Sequence, residues 1–356
     1  MRLALGQLPD ATPELLAFAV QLGLGSVQLN TPQLPGEREW AESDLVALRR
    51  RCEDAGLRLE AIENVPNRFY ERAMLGLPGR DEDIEHVQAT IRNLGHAGIP
   101  VLGYHFMPAS VWRTSVTATG RGGALVTAYD HAIATDPARA AEVFVARRDQ
   151  RLDDPFVRAA HFATGIELDD DAMWANYRYF LEAVVPVAEA AGVRLALHPD
   201  DPPVPALGGI ARLFRSVASL ERAMQLVPSP SSGLDLCLGT VSEMGGERAV
   251  LEAIETFGPR GWIVYVHLRD VQGTAPRFTE CFLGEGNYDP LVILRALRRV
   301  GFDGFLLDDH VPRMVDDSAY MHRGRAHAVG LIQGLLRTLD EDRAVPNRDA
   351  RETAAS

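Results

Sequence analysis

Apolar residues recur with two periods along this chain, and the two alternate. Alternating apolar positions in LALGQ (3–7), SVQLN (26–30), LRLEAIENVP (57–66) and IPVLGYHFMP (99–108) predict four short strands. Between them the spacing turns helical. A helix over 12–22 starts at Thr12 as N-cap with Pro13 in the first turn, and Gly23 and Gly25 end it. SDLVALRRRCEDAG predicts a second helix capped at Ser43 and stopped at Gly56, and 81–97 a third. The pattern then breaks over 109–170, where TATGRGGA and ARRDQRLDDP show no clean period. A helix over 170–191 restores it and leads into a fifth strand, VRLALHPDDPP (193–203). SGLDLCLGT, WIVYVHLRDV and GFLLDDH supply three more strands, with helices over 210–226, 247–257 and 289–300 between or beside them and a last one over 318–339.

Eight strands, nearly every one followed by a helix, predict an α/β (β/α)8 TIM barrel in one domain over 1–340. The long insertion after the fourth strand, 109–170, is expected to be a lid over the active-site face, and 341–356 a polar, flexible tail. An open doubly wound sheet is the alternative fold. It calls for a glycine-rich turn after the first strand, and GQLPDATP is not GxGxxG.

The strands end unusually. The fifth runs into His198, the adjacent acids Asp200 and Asp201, and three prolines that stop the ladder. The sixth ends at Cys237, the seventh at His267, and the eighth at Asp308, Asp309 and His310. In a barrel these ends share one rim, so His198, Cys237, His267 and Asp309 are expected to converge. Two imidazoles, a thiolate and a carboxylate suit Zn, Fe(II), Co or Mn rather than Ca or Mg. Read singly, each is an ordinary polar residue at a strand end; four in register point to a metal centre. Asp200 and Asp201 are expected to touch substrate hydroxyls or support the ligands, against the plainer reading of loop acids capping turns.

Composition narrows the class. The chain is 46% hydrophobic over 356 residues, enough for a large core, and its net charge of −13 argues against nucleic-acid binding. Three cysteines without a CxxC pair argue against a disulfide framework and for a reducing cytoplasm. No apolar run approaches a membrane span.

HPDDPP, the cysteine of GLDLCLGT, HLRDV and the Asp-His after the eighth strand resemble the mannonate dehydratase family of the UxuA type. EAIENVP, LGLPGRDEDI, the Trp112-Arg113-Thr114 region and SAYMHRGRAHAVGLIQGL extend the resemblance over roughly residues 1–340. It implies a xylose-isomerase-like TIM barrel, Mn2+ or Fe2+, and dehydration of D-mannonate to 2-dehydro-3-deoxy-D-gluconate in hexuronate breakdown. It also implies a homo-oligomer. Carried over, the ligands are again His198, Cys237, His267 and Asp309. His310 and Tyr320 share the roles of general acid and base, and Arg269 or Arg325 holds the carboxylate of the small-molecule sugar acid. The chain departs from the family pattern at the substrate rim. Leu307 and Val311 replace an arginine and a glycine, and His105 and Asp270 each stand where the family has asparagine. A sugar isomerase or epimerase on the same barrel is the alternative, with Glu63 or Glu280 moving the proton. A sugar-acid-binding protein without activity is a third reading.

Overall fold

The computed structural model describes residues 1–108, 110–136, 138–139 and 166–344. The whole ARRDQRLDDP stretch, the central part of the expected lid and the end of the expected tail lie outside them.

Eight parallel strands close on themselves: β1 (Arg2–Leu8), β2 (Ser26–Asn30), β3 (Arg58–Glu63), β4 (Val101–Tyr104), β5 (Arg194–Leu197), β6 (Ser232–Cys237), β7 (Ile263–Leu268) and β8 (Phe305–Asp308). Each pairs with its neighbour in chain order and β8 returns to β1, so the expected TIM barrel is the fold found. Every residue of β6, β7 and β8 is buried, which is why these segments read as near-continuous apolar runs. The outer core lies between barrel and helices; inside the barrel Ala4, Ala61, Val101 and Ala196 leave room for Tyr265, Phe305 and Leu307.

Helix starts follow local chemistry. Thr12 accepts from Leu15 N at 3.3 Å and Pro13 opens the first helix, Pro13–Gln21. Asp169 accepts from Ala172 N at 2.9 Å at the head of Asp170–Ala191. Four boundaries differ from the sequence reading. The second helix, Glu42–Asp54, is preceded by Ala41 rather than capped by Ser43. The stretch from 210 begins as a two-residue strand, Ile210–Ala211, and its helix, Val217–Leu226, waits for the capping box of Ser216 and Ser219. The helix after β6 begins directly at Leu238 and is broken at Gly245 and Gly246, the latter with φ +67°. The last helix, His322–Ala344, starts later because Asp317 accepts from the backbone of Met314, Ser318, Arg323 and Gly324 and ties a turn in front of it.

Two hairpins meet over the C-terminal mouth. Ser115–Thr119 and Leu125–Asp130 come from the segment after β4, and Val271–Thr274 and Arg277–Glu280 from the loop after β7. They join into a four-stranded antiparallel sheet through Arg277–Glu280 and Leu125–Asp130. This sheet carries Glu280 at the end of a strand and Arg113 at its approach. Among the described residues no helix is long and apolar enough to cross a membrane.

A candidate metal centre at the barrel mouth

Strands β5 to β8 deliver the expected side chains to one point. Cys237 pairs in register with His267, and His267 with Leu307, two residues before Asp309. His198 follows β5, its N–H donating to Tyr104 O at 2.8 Å before the prolines end the strand. Ligand atoms of His198, Cys237 and His267 lie within 4.8 Å of one another, all buried. Asp309 Oδ2 stands 3.8 Å from Cys237 Sγ and 3.7 Å from His267 Nδ1.

The two imidazoles are aimed. His198 Nδ1 lies 2.7 Å from Pro199 O, which gives that nitrogen the proton and leaves Nε2 as the acceptor. His267 Nε2 lies 2.9 Å from Glu63 Oε2, and its Nδ1 is buried with no hydrogen-bond partner among the described residues. A buried lone pair without a donor, beside a thiol, a second imidazole and a carboxylate, fits a divalent cation of the Mn, Fe or Zn kind. The electrostatics agree. Burial raises the Cys237 thiol, but the Arg269 charge and the His198 and His267 imidazoles beside it outweigh this and hold its pKa well below the ordinary value. Burial opposes charge on His198, yet its hydrogen bond to Cys237 and the Cys237 and Asp235 charges push it up to about 10. Surroundings that hold a proton so tightly would hold a metal cation in its place.

Beside this point lies a buried ionic cluster. Arg269 Nε donates to Asp309 Oδ2 at 3.0 Å, Nη1 to Glu243 at 2.9 Å and Glu280 at 3.1 Å, and Nη2 to Asp201 at 2.8 Å and Cys237 Sγ at 3.4 Å. Arg113 shares Asp201 and Glu280 with it, the latter at 2.9 Å. Only glycine fits at 239: a Cβ there would stand 2.7 Å from Arg269 Nε and Cζ. His310 Nδ1 lies 2.7 Å from Glu280 Oε1, and its side chain is 36% exposed, at the edge of the cluster.

The other expected residues sit differently. Asp200 accepts from Phe214 N at 2.6 Å and lies 3.5 Å from Arg212 Nε, bracing its own loop, whereas Asp201 enters the ionic cluster. His105 is buried, its Nδ1 accepting from Met107 N at 3.1 Å; burial and the nearby charges of His198 and Arg212 push it down to about 3, so it is neutral. Arg325 donates to Asp308 Oδ2 at 2.5 Å and to Tyr320 O at 3.0 Å. The Tyr320 hydroxyl donates to Gly6 O at 2.7 Å and its ring meets Phe18 and His322 edge-on, so its bonds lead toward β1 rather than into the cluster. Sequence reasoning missed Glu243 and Asp235. Glu243 offered no signal, lying in a polar helical stretch. Asp235 offered one, a lone carboxylate inside an apolar strand two residues before Cys237.

Comparison with known proteins converges on one group. A mannonate dehydratase from Thermotoga neapolitana is 33% identical over 294 residues, 78% of this chain and 79% of that protein. Mannonate dehydratase 1 from Bacillus licheniformis is 30% identical over 331 residues, 87% of each. The crystal structure of mannonate dehydratase from Streptococcus suis serotype 2 superposes with a TM-score of 0.78 at 26% identity, over 94% of this chain and 93% of that one. D-Psicose 3-epimerase from Clostridium cellulolyticum H10, at 13% identity and a TM-score of 0.59 over 94% of this chain and 99% of that one, shares the fold alone. The D-mannonate dehydratase (UxuA) family pattern matches residues 16–345. With this match spanning nearly the whole barrel, the chain belongs to the D-mannonate dehydratase (UxuA) family.

Proposed function

We propose that this chain dehydrates D-mannonate to 2-dehydro-3-deoxy-D-gluconate at a divalent cation, Mn2+ or Fe2+, held by His198, Cys237, His267 and Asp309. The observation that carries the metal site is the buried, unpartnered His267 Nδ1 facing Asp309 Oδ2 at 3.7 Å, in a cluster with Cys237 and His198. When bound, the ion supplies a Lewis acid that stabilises the enolate-like charge created when the proton next to the carboxylate is removed.

The remaining steps belong to the protein. Removing that proton needs a base, and losing the neighbouring hydroxyl needs an acid. His310 is the proton carrier in this reading, because Glu280 engages Nδ1 and leaves Nε2 to exchange a proton at the partly exposed rim. Tyr320 is its partner in the same reading, and to serve it must give up its bond to Gly6 O. Arg269 acts on the ligands rather than on substrate, since its donors are engaged by carboxylates, Cys237 and Thr240. Arg325 secures the end of β8 through Asp308. Asp200 and His105 shape the floor of the mouth, and the hairpin of Ser115–Thr119 and Leu125–Asp130, a described part of the expected lid, lies over it. The isomerase alternative loses ground because its candidate bases, Glu63 and Glu280, are engaged by His267 and by His310 with two arginines. Three free, buried cysteines support a reducing cytoplasm; a homo-oligomer rests on the family resemblance alone.

Metal-free protein loaded with Mn(II) or Fe(II) under reducing conditions, then given D-mannonate, tests the proposal. A 2-keto-3-deoxy acid that disappears with chelator and with Cys237→Ser is the expected outcome. Turnover that survives both would remove the metal centre from the reaction, and a product of unchanged mass would transfer it to the isomerase class.

A further inference from the structure

Two positions of one strand face the two nitrogens of one imidazole. Cys237 and Asp235 lie two residues apart on β6, so they point to the same side, one layer apart along the barrel. Cys237 pairs in register with His267 and Asp235 with Tyr265. Asp309 Oδ2, which also lies 3.8 Å from Cys237 Sγ, stands on the Nδ1 side of His267, and Asp235 and Glu63 are on the Nε2 side. Glu63 Oε2 stands 2.9 Å from Nε2 and Asp235 Oδ2 stands 3.3 Å from it.

The two carboxylates differ in how they are held. Glu63 accepts from Gln28 Nε2 at 2.6 Å, Gln7 Nε2 at 3.2 Å and Tyr265 OH at 3.3 Å. Asp235 is fully buried, yet neither of its oxygens meets a donor in hydrogen-bonding geometry among the described residues. Such a group destabilises the fold, and an apolar or hydroxyl side chain in this strand would fold better. The space beside Glu63 and Tyr265 is tightly filled: a Cβ at Gly103 would stand 2.2 Å from Tyr265 OH and 2.9 Å from Glu63 Cγ.

We infer that Glu63 and Asp235 form a paired carboxyl seat beneath His267, and that Asp235 is a positioning residue for the metal centre, acting through His267. The inference rests on the metal-centre reading above. Two carboxylates on one side keep the imidazole proton on Nε2. They therefore present the Nδ1 lone pair to the ligand layer and make it a stronger donor. The ring cannot turn over without giving up the hydrogen bond from Nε2 to Glu63.

The test uses full-length metal-free protein and compares wild type with Asp235→Asn, Asp235→Ser and Glu63→Gln. Mn(II) dissociation constants are measured by titration, Co(II) loading by visible absorption, and thermal melting without metal. The expected result is a Mn(II) dissociation constant raised roughly 10–100-fold in each variant. The Co(II)–thiolate band persists because Cys237 is untouched, while the d–d envelope shifts. Metal-free Asp235→Asn and Asp235→Ser melt at or above the wild-type temperature, because an unpartnered buried carboxylate has been removed. A residue of purely structural value would lower that temperature instead, and this result would overturn the inference. So would wild-type Mn(II) affinity in both Asp235 variants. Two Mn(II) ions per wild-type chain would also overturn it and hand Glu63, Asp235 and Nε2 to a second ion. Tight wild-type metal binding without turnover of D-mannonate sinks the dehydratase reading and leaves the seat standing. A wild type that binds neither Mn(II) nor Co(II) sinks both.

Discussion

His310 shows how a single residue inherits its chemistry from its neighbours. Burial opposes its charge, but the Asp309 and Glu280 carboxylates outweigh this and hold its pKa above the ordinary 6.5. A raised histidine pKa stabilises the fold fully below the unfolded value near 6.5, and that stabilisation is lost as pH rises through the higher folded value. The same shift keeps the imidazole protonated, and able to act as an acid, further into alkaline pH. Glu280→Gln removes one of the two carboxylates. The alkaline limb of kcat/KM for D-mannonate is therefore expected to move to lower pH, while the Asp309 contribution remains. A pH–rate profile whose alkaline limb stays in place would take His310 out of the proton transfer. Asp200 and Asp201 make the complementary point: adjacent in sequence and identical in chemistry, they divide into a loop brace and a member of the ionic cluster.

At the scale of elements, barrel strands place side chains and short polar signals stop or start the segments. Proline after His198 ends β5 at the rim, and the helix after β6 begins at once, so Cys237 sits at a strand-to-helix junction. Where a helix start is set by one side chain, its worth can be measured. Ser216 Oγ accepts from Ser219 N at 3.1 Å, and Ser219 Oγ accepts from Ser216 N at 3.0 Å. Ser216→Ala removes half of that capping box and is expected to cost about 1 kcal/mol in urea unfolding, with metal affinity unchanged. A loss of metal affinity would mean that the helix start and the rim are coupled. The hairpins over the mouth have no counterpart in the sequence reading, because their strands are short and only gain partners from one another across the chain.

For the whole molecule, the candidate centre joins strands that are far apart in sequence, so metal binding there would be linked to folding. The cation would bind only the closed barrel, and ligands that bind only the native state raise stability by RT ln(1 + [L]/Kd), about 2.7 kcal/mol at a hundredfold excess over Kd. Thermal melts of the full chain are expected to rise in temperature as Mn(II) is added, to fall back with chelator, and to show no such rise in Cys237→Ser. A Cys237→Ser variant that gains as much as wild type would place the ion elsewhere.

Local information carries a good part of this protein. The alternation of strand and helix, the closure into eight strands, and the four candidate ligands at the ends of β5 to β8 all come from periodicity, prolines and spacing within each unit. Those signals act over a few residues and survive without knowledge of neighbours. The orientation of each group does not. Arg269 reads in sequence as a free cation near a substrate, and packing turns it onto Asp201, Glu243, Glu280 and Asp309. Tyr320 reads as a neighbour of His310, and the turn tied by Asp317 directs its hydroxyl to Gly6. Glu63 and Asp235 meet beneath His267 only because strands three, six and seven face one interior. Hydrogen bonds and charges over a few ångströms decide which nitrogen is bare and which cation is free, and only the closed barrel sets those distances.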